Sequence, residues 1–141
     1  MPITQAELKK IVSQRGKNLS DLDLRGINLE GVNLSDFNFS RSNLEGANLH
    51  RATLMRANFS KAFMKDVDLR EANLAQADLS WARLLNANLK ASNLQYANLE
   101  DADLRDANLD SANFHNATIE RTNLVGANLK NIIEPDGTKR Q

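Results

Sequence analysis

The 141-residue chain has no cysteine, so it has no disulfide framework, no thiol nucleophile and no zinc-finger spacing, and a reducing compartment suits it. It has only two histidines, His50 and His115. The formal net charge is zero, from 18 basic and 18 acidic residues, which argues against direct nucleic-acid binding and against an acidic tail. No apolar run approaches the roughly 18 residues of a membrane helix, and the N-terminus is polar, unlike a signal peptide. A cytoplasmic protein without a membrane partner is therefore expected. No nucleophile elbow, phosphate loop or zinc-binding helix motif occurs. The expectation is of no enzyme, no cofactor and no metal.

What the chain does have is a period of five. A bulky apolar residue stands at every fifth position from Leu19 to Leu129, making 23 consecutive repeats without an insertion. Eighteen of these centres are Leu; the others are Phe39, Phe59, Met64, Phe114 and Ile119. Two residues earlier the side chain is usually Ala, and one residue earlier it is usually Asn or Asp, as in Ala47-Asn48-Leu49 and Ala107-Asn108-Leu109. On an α-helix five residues advance about 500°, which smears the leucines over every face. On a flat strand an odd period sends them to alternate faces. One apolar surface results only when the chain bends once per repeat, which predicts a solenoid of stacked short parallel strands. Gly26, Gly31, Gly46 and Gly126 all stand two positions after a centre, where a turn has a use for them.

The run resembles the pentapeptide repeat family, whose consensus is A-(D/N)-L-x-x, over residues 17–131. The resemblance implies an all-β solenoid: a right-handed quadrilateral parallel β-helix with one repeat per side, 20 residues per coil and nearly six coils. Each centre and the residue two before it would point inward, and residues 20 apart would stack. At ~4.8 Å between paired strands the rod would be roughly 28 Å tall. One interior column would hold Leu29, Leu49, Leu69, Leu89, Leu109 and Leu129; another would include Phe39 and Phe59. Near the N-terminal end Leu22, Ile27, Val32 and Phe37 replace the usual Ala, which predicts a wider or differently packed end.

Stacked coils leave unpaired edges that need covering. Residues 1–16 are assigned to an N-terminal capping α-helix. Thr4 and Glu7 have capping-box spacing, Ile3 and Leu8 form a hydrophobic staple, and Gly16 stops the helix. Residues 132–141 are assigned to a C-terminal cap and tail. There Ile132 and Ile133 break the register and close the last coil before the turn signal Glu134-Pro135-Asp136-Gly137, in which Pro135 is expected to stop further pairing. Some family members dimerise through this end, and Ile132 and Ile133 are the candidate dimer residues.

With the repeats committed to the core, function falls to the outward positions. Phe63, Trp81 and Leu85 lie outside the expected core on adjoining parts of coils three and four, with Arg83 one coil above Phe63 and able to stack on it. A grouped Trp, Phe and Leu with an Arg forms the candidate partner patch. Arg51, Arg56, Lys61 and Lys65 would girdle one coil, while Glu100, Asp101, Asp103, Asp106 and Asp110, interrupted only by Arg105, make a later one acidic. Tyr96, with Met55, Arg56 and Gln76, reads as surface decoration. The functional expectation is a rigid protein-interaction or scaffold module with an unidentified protein partner. The resemblance adds two alternatives: a DNA-mimicking binder of type II topoisomerase, as in quinolone resistance, and a structural homo-oligomer.

Overall fold

The structure, a computed structural model, describes residues 1–141. Parallel bridges join residues 20 apart without a slip, from Asn18↔Asn38 to Asn113↔Ile133. The coil is therefore 20 residues, four repeats, and coils one to six begin at residues 17, 37, 57, 77, 97 and 117. The chain is a β-solenoid.

Each repeat is built the same way. The residue before the centre is extended and pairs with the coils on either side: the Asn58 amide donates to the Phe37 carbonyl at 2.9 Å, and the Phe59 amide donates to the Asn58 carbonyl's counterpart one coil on, that of Asp78, at 2.7 Å. The chain then turns, with the Ala62 amide donating to the Phe59 carbonyl at 3.0 Å. The turn puts its third residue at positive φ, Lys61 at 60° here, as a type II turn requires. Asn or Asp closes the corner. At every Asn or Asp directly before a centre, the side-chain Oδ1 accepts the backbone amide two residues on, as Asn58 does from Ser60 at 2.9 Å. Because the turn consumes so much of each repeat, pairing is confined to single-residue bridges, and the short strands expected from the sequence are not formed.

The centres and the alanines before them make one continuous core, with Leu49, Leu69, Leu89 and Leu109 fully buried in one column. The Phe39 and Phe59 rings stack at 4.9 Å and 4°. Fully burying a Leu or Phe contributes about 1.5–3 kcal/mol.

Helix α1 (Gln5–Arg15) caps the first coil. Thr4 Oγ1 accepts the Glu7 amide at 3.2 Å, Gly16 ends the helix at φ 61°, and Leu8 is the one buried helix residue. The Ile3 amide donates to the Asp23 carbonyl at 2.9 Å, tying the segment to the coil. Of the four large residues replacing Ala at this end, Ile27 is buried, Leu22 and Phe37 are half-buried, and Val32 is exposed. The extra bulk leaves a groove of about 350 Å³ between α1 and the first coil.

The C-terminal end departs from expectation. Ile132 and Ile133 do not break the register; they continue it. Ile132 fills the Ala position and is buried, Ile133 fills the Asn/Asp position and pairs with Asn113, and Glu134 takes the place of the centre. Its carboxylate is drawn to Arg140 at 2.6 Å instead of entering the core. Nor does Pro135 stop pairing, because its carbonyl accepts the Asn116 amide at 2.9 Å. Beyond it the chain turns at Gly137, and Lys139 pairs antiparallel with Ile133. No helix is long and apolar enough to cross a membrane.

Candidate interaction groove

Stacking in steps of 20 turns sequence positions into vertical columns. The third turn residues of one corner read Asp21, Arg41, Lys61, Trp81, Asp101 and Arg121, and the adjoining bridge positions read Asp23, Asn43, Phe63, Arg83, Asp103 and Asn123. Between them runs an open groove of about 550 Å³ lined by Asp21, Arg41, Lys61, Phe63, Trp81 and Arg83. Three of the four patch residues expected from the sequence thus converge. Leu85 does not: it is half-buried on the next wall and does not line the groove.

The Arg83 guanidinium lies 5.1 Å from the centroid of the Phe63 ring. Trp81 is 58% exposed and Phe63 42%. Trp81 sits at φ 59°, where a bulky side chain is strained relative to Gly or Asn. Phe63 and Arg83 also displace the corner-closing Asn or Asp. The Lys65 and Leu85 amides, which such a residue would accept, donate to no protein group.

Electrostatically the groove is uneven. Arg41 pairs with Asp21 through two bonds of 2.9 and 3.1 Å, and that hydrogen bonding holds the Asp21 carboxyl below its usual range. Lys61 has no carboxylate within 4.0 Å. Among the ten arginines of the chain, only the Arg83 guanidinium donates to no protein acceptor; the other nine are held by carboxylates, or in the case of Arg15 by the Ser20 carbonyl.

The charge bands expected from the sequence are cancelled in part, mostly across coils, with Lys61, Lys65, Asp106 and Asp110 outside any ion pair. In the basic band Arg51 pairs with Glu71 at 2.5 Å and Arg56 with Asp36 at 2.8 Å, leaving Lys61 and Lys65. In the acidic band Glu100 and Asp101 both take Arg121, and Asp103 takes Arg105. Arg121 is accordingly held above its ordinary value, chiefly by its hydrogen bonds to Asp101. These ladders escaped the reading of the sequence, although partners 20 apart signal them. His50 lies between Glu30, 3.1 Å from Nδ1, and Glu71, 3.4 Å from Nε2, while His115 is two histidine-free coils and more away against Gly137. Tyr96 is exposed, as expected of surface decoration.

Models of the pentapeptide repeats, with eight copies, match residues 23–60 and 33–70, and one of a pentapeptide repeat region matches residues 52–133. Among solved structures, the pentapeptide repeat protein Rfr23 from the cyanobacterium Cyanothece 51142 is similar at 28% identity and a TM-score of 0.57, covering 91% of this chain and 94% of that one. A trypsin-treated variant of QnrB1, described as a plasmid-mediated fluoroquinolone resistance protein, is similar at 25% identity and a TM-score of 0.67. That match covers 78% of this chain and 54% of QnrB1, so this chain corresponds to about half of that protein. No curated protein sequence matches. With the repeat model spanning residues 52–133 and the coil repeating every 20 residues, the chain belongs to the pentapeptide repeat family.

Proposed function

We propose that the chain is a rigid, non-catalytic protein-interaction module that presents the groove around Phe63, Trp81 and Arg83 to a partner protein. One observation carries this reading: the groove concentrates exposed aromatic surface and the one arginine without an acceptor where the repeat's own rules ask for Asn or Asp. A patch of Trp, Phe and Arg has the composition of a binding hot spot. Support for the non-catalytic part comes from the histidines, which stand on separate coils, with His50 engaged by two carboxylates. We take the coil to be right-handed and four-sided, as in the family.

QnrB1's description as a fluoroquinolone resistance protein brings up the topoisomerase alternative that the family resemblance implies. A DNA-like surface calls for sustained negative charge, whereas here the net charge is zero and carboxylates of several coils are matched by arginines. That reading ranks below the groove. A second reading is a homodimer through the C-terminal end, favoured by Ile119, Leu124 and Leu129, which are only half-buried there.

The groove reading is tested by affinity capture from the source organism with wild type and Trp81→Ala. The variant is expected to keep the wild-type circular dichroism spectrum and to lose a specific partner. Equal capture by the two proteins would remove the groove as the docking site.

A further inference from the structure

Building on the groove reading, we propose that the groove's ligand is a short acidic–apolar peptide segment: an extended stretch of a partner protein with one or two Asp or Glu residues beside a large apolar side chain. The carboxylates would meet Arg83 and Lys61, and the apolar side chain would lie on Trp81.

The first argument is the state of Arg83. A guanidinium carries five N–H donors and prefers a carboxylate fork. Every other arginine on the solenoid wall has such a carboxylate, one coil away or two residues away, so the wall readily supplies them. Arg83 instead stands over an aromatic ring, which holds the cation in place without accepting its hydrogen bonds. It is positioned and unmatched. Lys61, on the same groove, is the second unmatched cation.

The second argument sets the length. The carboxylates that frame the groove are already taken: Asp21 pairs with Arg41 and Asp23 with Arg25 on one side, and one coil beyond Trp81 and Arg83 Asp101 pairs with Arg121 and Asp103 with Arg105. The unmatched cations Lys61 and Arg83 stand on adjacent coils, and the stretch from Arg41 to Arg83 covers two coil spacings, on the order of 10 Å. An extended peptide advances about 3.3–3.6 Å per residue, so roughly three residues span that stretch. A nucleic-acid strand or a long polyacidic tail would carry most of its charges past cations that already have partners. A short acidic segment would not.

The third argument concerns the apolar part. Trp81 is held at a positive-φ corner with more than half its surface exposed, next to a Phe63 that is also exposed. An apolar side chain seated there gains burial against two rings, and it excludes water from the ion pair and strengthens it.

Trp81 is the sole tryptophan, so its emission reports on this groove and nothing else. The probe is a capped Glu–Leu–Glu tripeptide, titrated to about 1 mM, a concentration that detects even weak binding. A capped Gln–Leu–Gln tripeptide and an oligothymidylate serve as comparisons. The Glu–Leu–Glu peptide is expected to change Trp81 emission saturably, with affinity falling about tenfold in Arg83→Gln and again at high salt. Lys61→Gln, which leaves the Phe63–Arg83 contact in place, is expected to weaken binding too. No saturable change, equal binding of the Gln–Leu–Gln peptide, or affinity unaltered in both variants would overturn the proposal. So would tighter binding of oligothymidylate, which would assign the groove to nucleic acid. If these peptides fail while Trp81→Ala still loses its captured partner, the acidic ligand is rejected and the groove survives. If Trp81→Ala captures normally, the groove itself falls.

Discussion

Asn58 and Phe63 occupy the same slot in successive repeats and serve the chain differently. Asn58 accepts the Ser60 amide at 2.9 Å and closes its corner. Phe63 leaves the Lys65 amide without a protein acceptor and places an aromatic ring at the surface. A hydrogen bond of this kind is worth about 1 kcal/mol, and a cation–π contact at an exposed site about 0.5–1 kcal/mol. The fold therefore gains little from Phe63. Phe63→Asn is expected to melt within about 1 kcal/mol of wild type, whereas Asn58→Phe should cost more than that. Thermal melts of the two variants check this; a large loss on Phe63→Asn would mean that the ring is there for stability. The same logic explains what could be read in advance. Phe63 and Arg83 are visible because each violates the Asn/Asp rule stated by the other repeats, and Trp81 because it is a large apolar residue outside the core positions. Leu85 misled because the residue after a centre can lie back against the wall, which the repeat pattern does not specify. The charged residues form bands when read along the chain, whereas several of their partners lie 20 residues away, as for Arg51 with Glu71 and Arg56 with Asp36.

At the level of elements, the N-terminal cap was legible and the C-terminal one was not. Helix α1 follows from local signals: an N-cap threonine, a glutamate three residues later, an apolar face and a closing glycine. Residues 132–140 had no such signal, because Ile132 and Ile133 fit two readings, a break or a continuation with larger side chains. Only tertiary pairing with Asn113 decides between them. The N-terminal cap is also where acid should act. The Asp23 carboxylate bonds Arg25 at 2.8 and 2.6 Å, chiefly for which its pKa falls from 3.8 to about 2, and its carbonyl holds the Ile3 amide. A depressed folded-state pKa means that the stabilisation is complete above 3.8 and is lost as pH falls toward about 2. Asp68 and Asp103, bonded likewise to Arg70 and Arg105, are lowered in the same direction. The expected result is a Tm difference between wild type and Asp23→Asn that is constant at higher pH and closes between 3.8 and about 2. A difference that persisted unchanged at the acid end would show that the Arg25 bond does not stabilise the fold.

The whole molecule is a rod with unequal ends. Helix α1 covers the first coil apart from the groove beside it, while the hairpin after Glu134 covers only part of the last. Ile119, Leu124 and Leu129, which would be fully buried one coil lower, are half-buried there, and the final turns have no further coil to pair with. An uncovered apolar section rimmed by unpaired backbone favours association, and a second copy meeting it end to end about a two-fold axis would satisfy both. Of the two residues picked out in the sequence, Ile133 is half-buried and carries the bridges to Asn113 and Lys139, so a change there would also disturb the last coil. Ile132 is buried within its own chain, so charging it should unfold the last coil and report nothing about assembly. Leu129 is the better probe, because its side chain already meets solvent in the single chain. If the ends do join, wild type should sediment as a dimer at about 100 μM, a concentration that populates even a micromolar association, and Leu129→Glu should sediment as a monomer with an unchanged circular dichroism spectrum. A wild type that stays monomeric under those conditions would leave the end a tolerated edge and the groove as the surface through which the rod works.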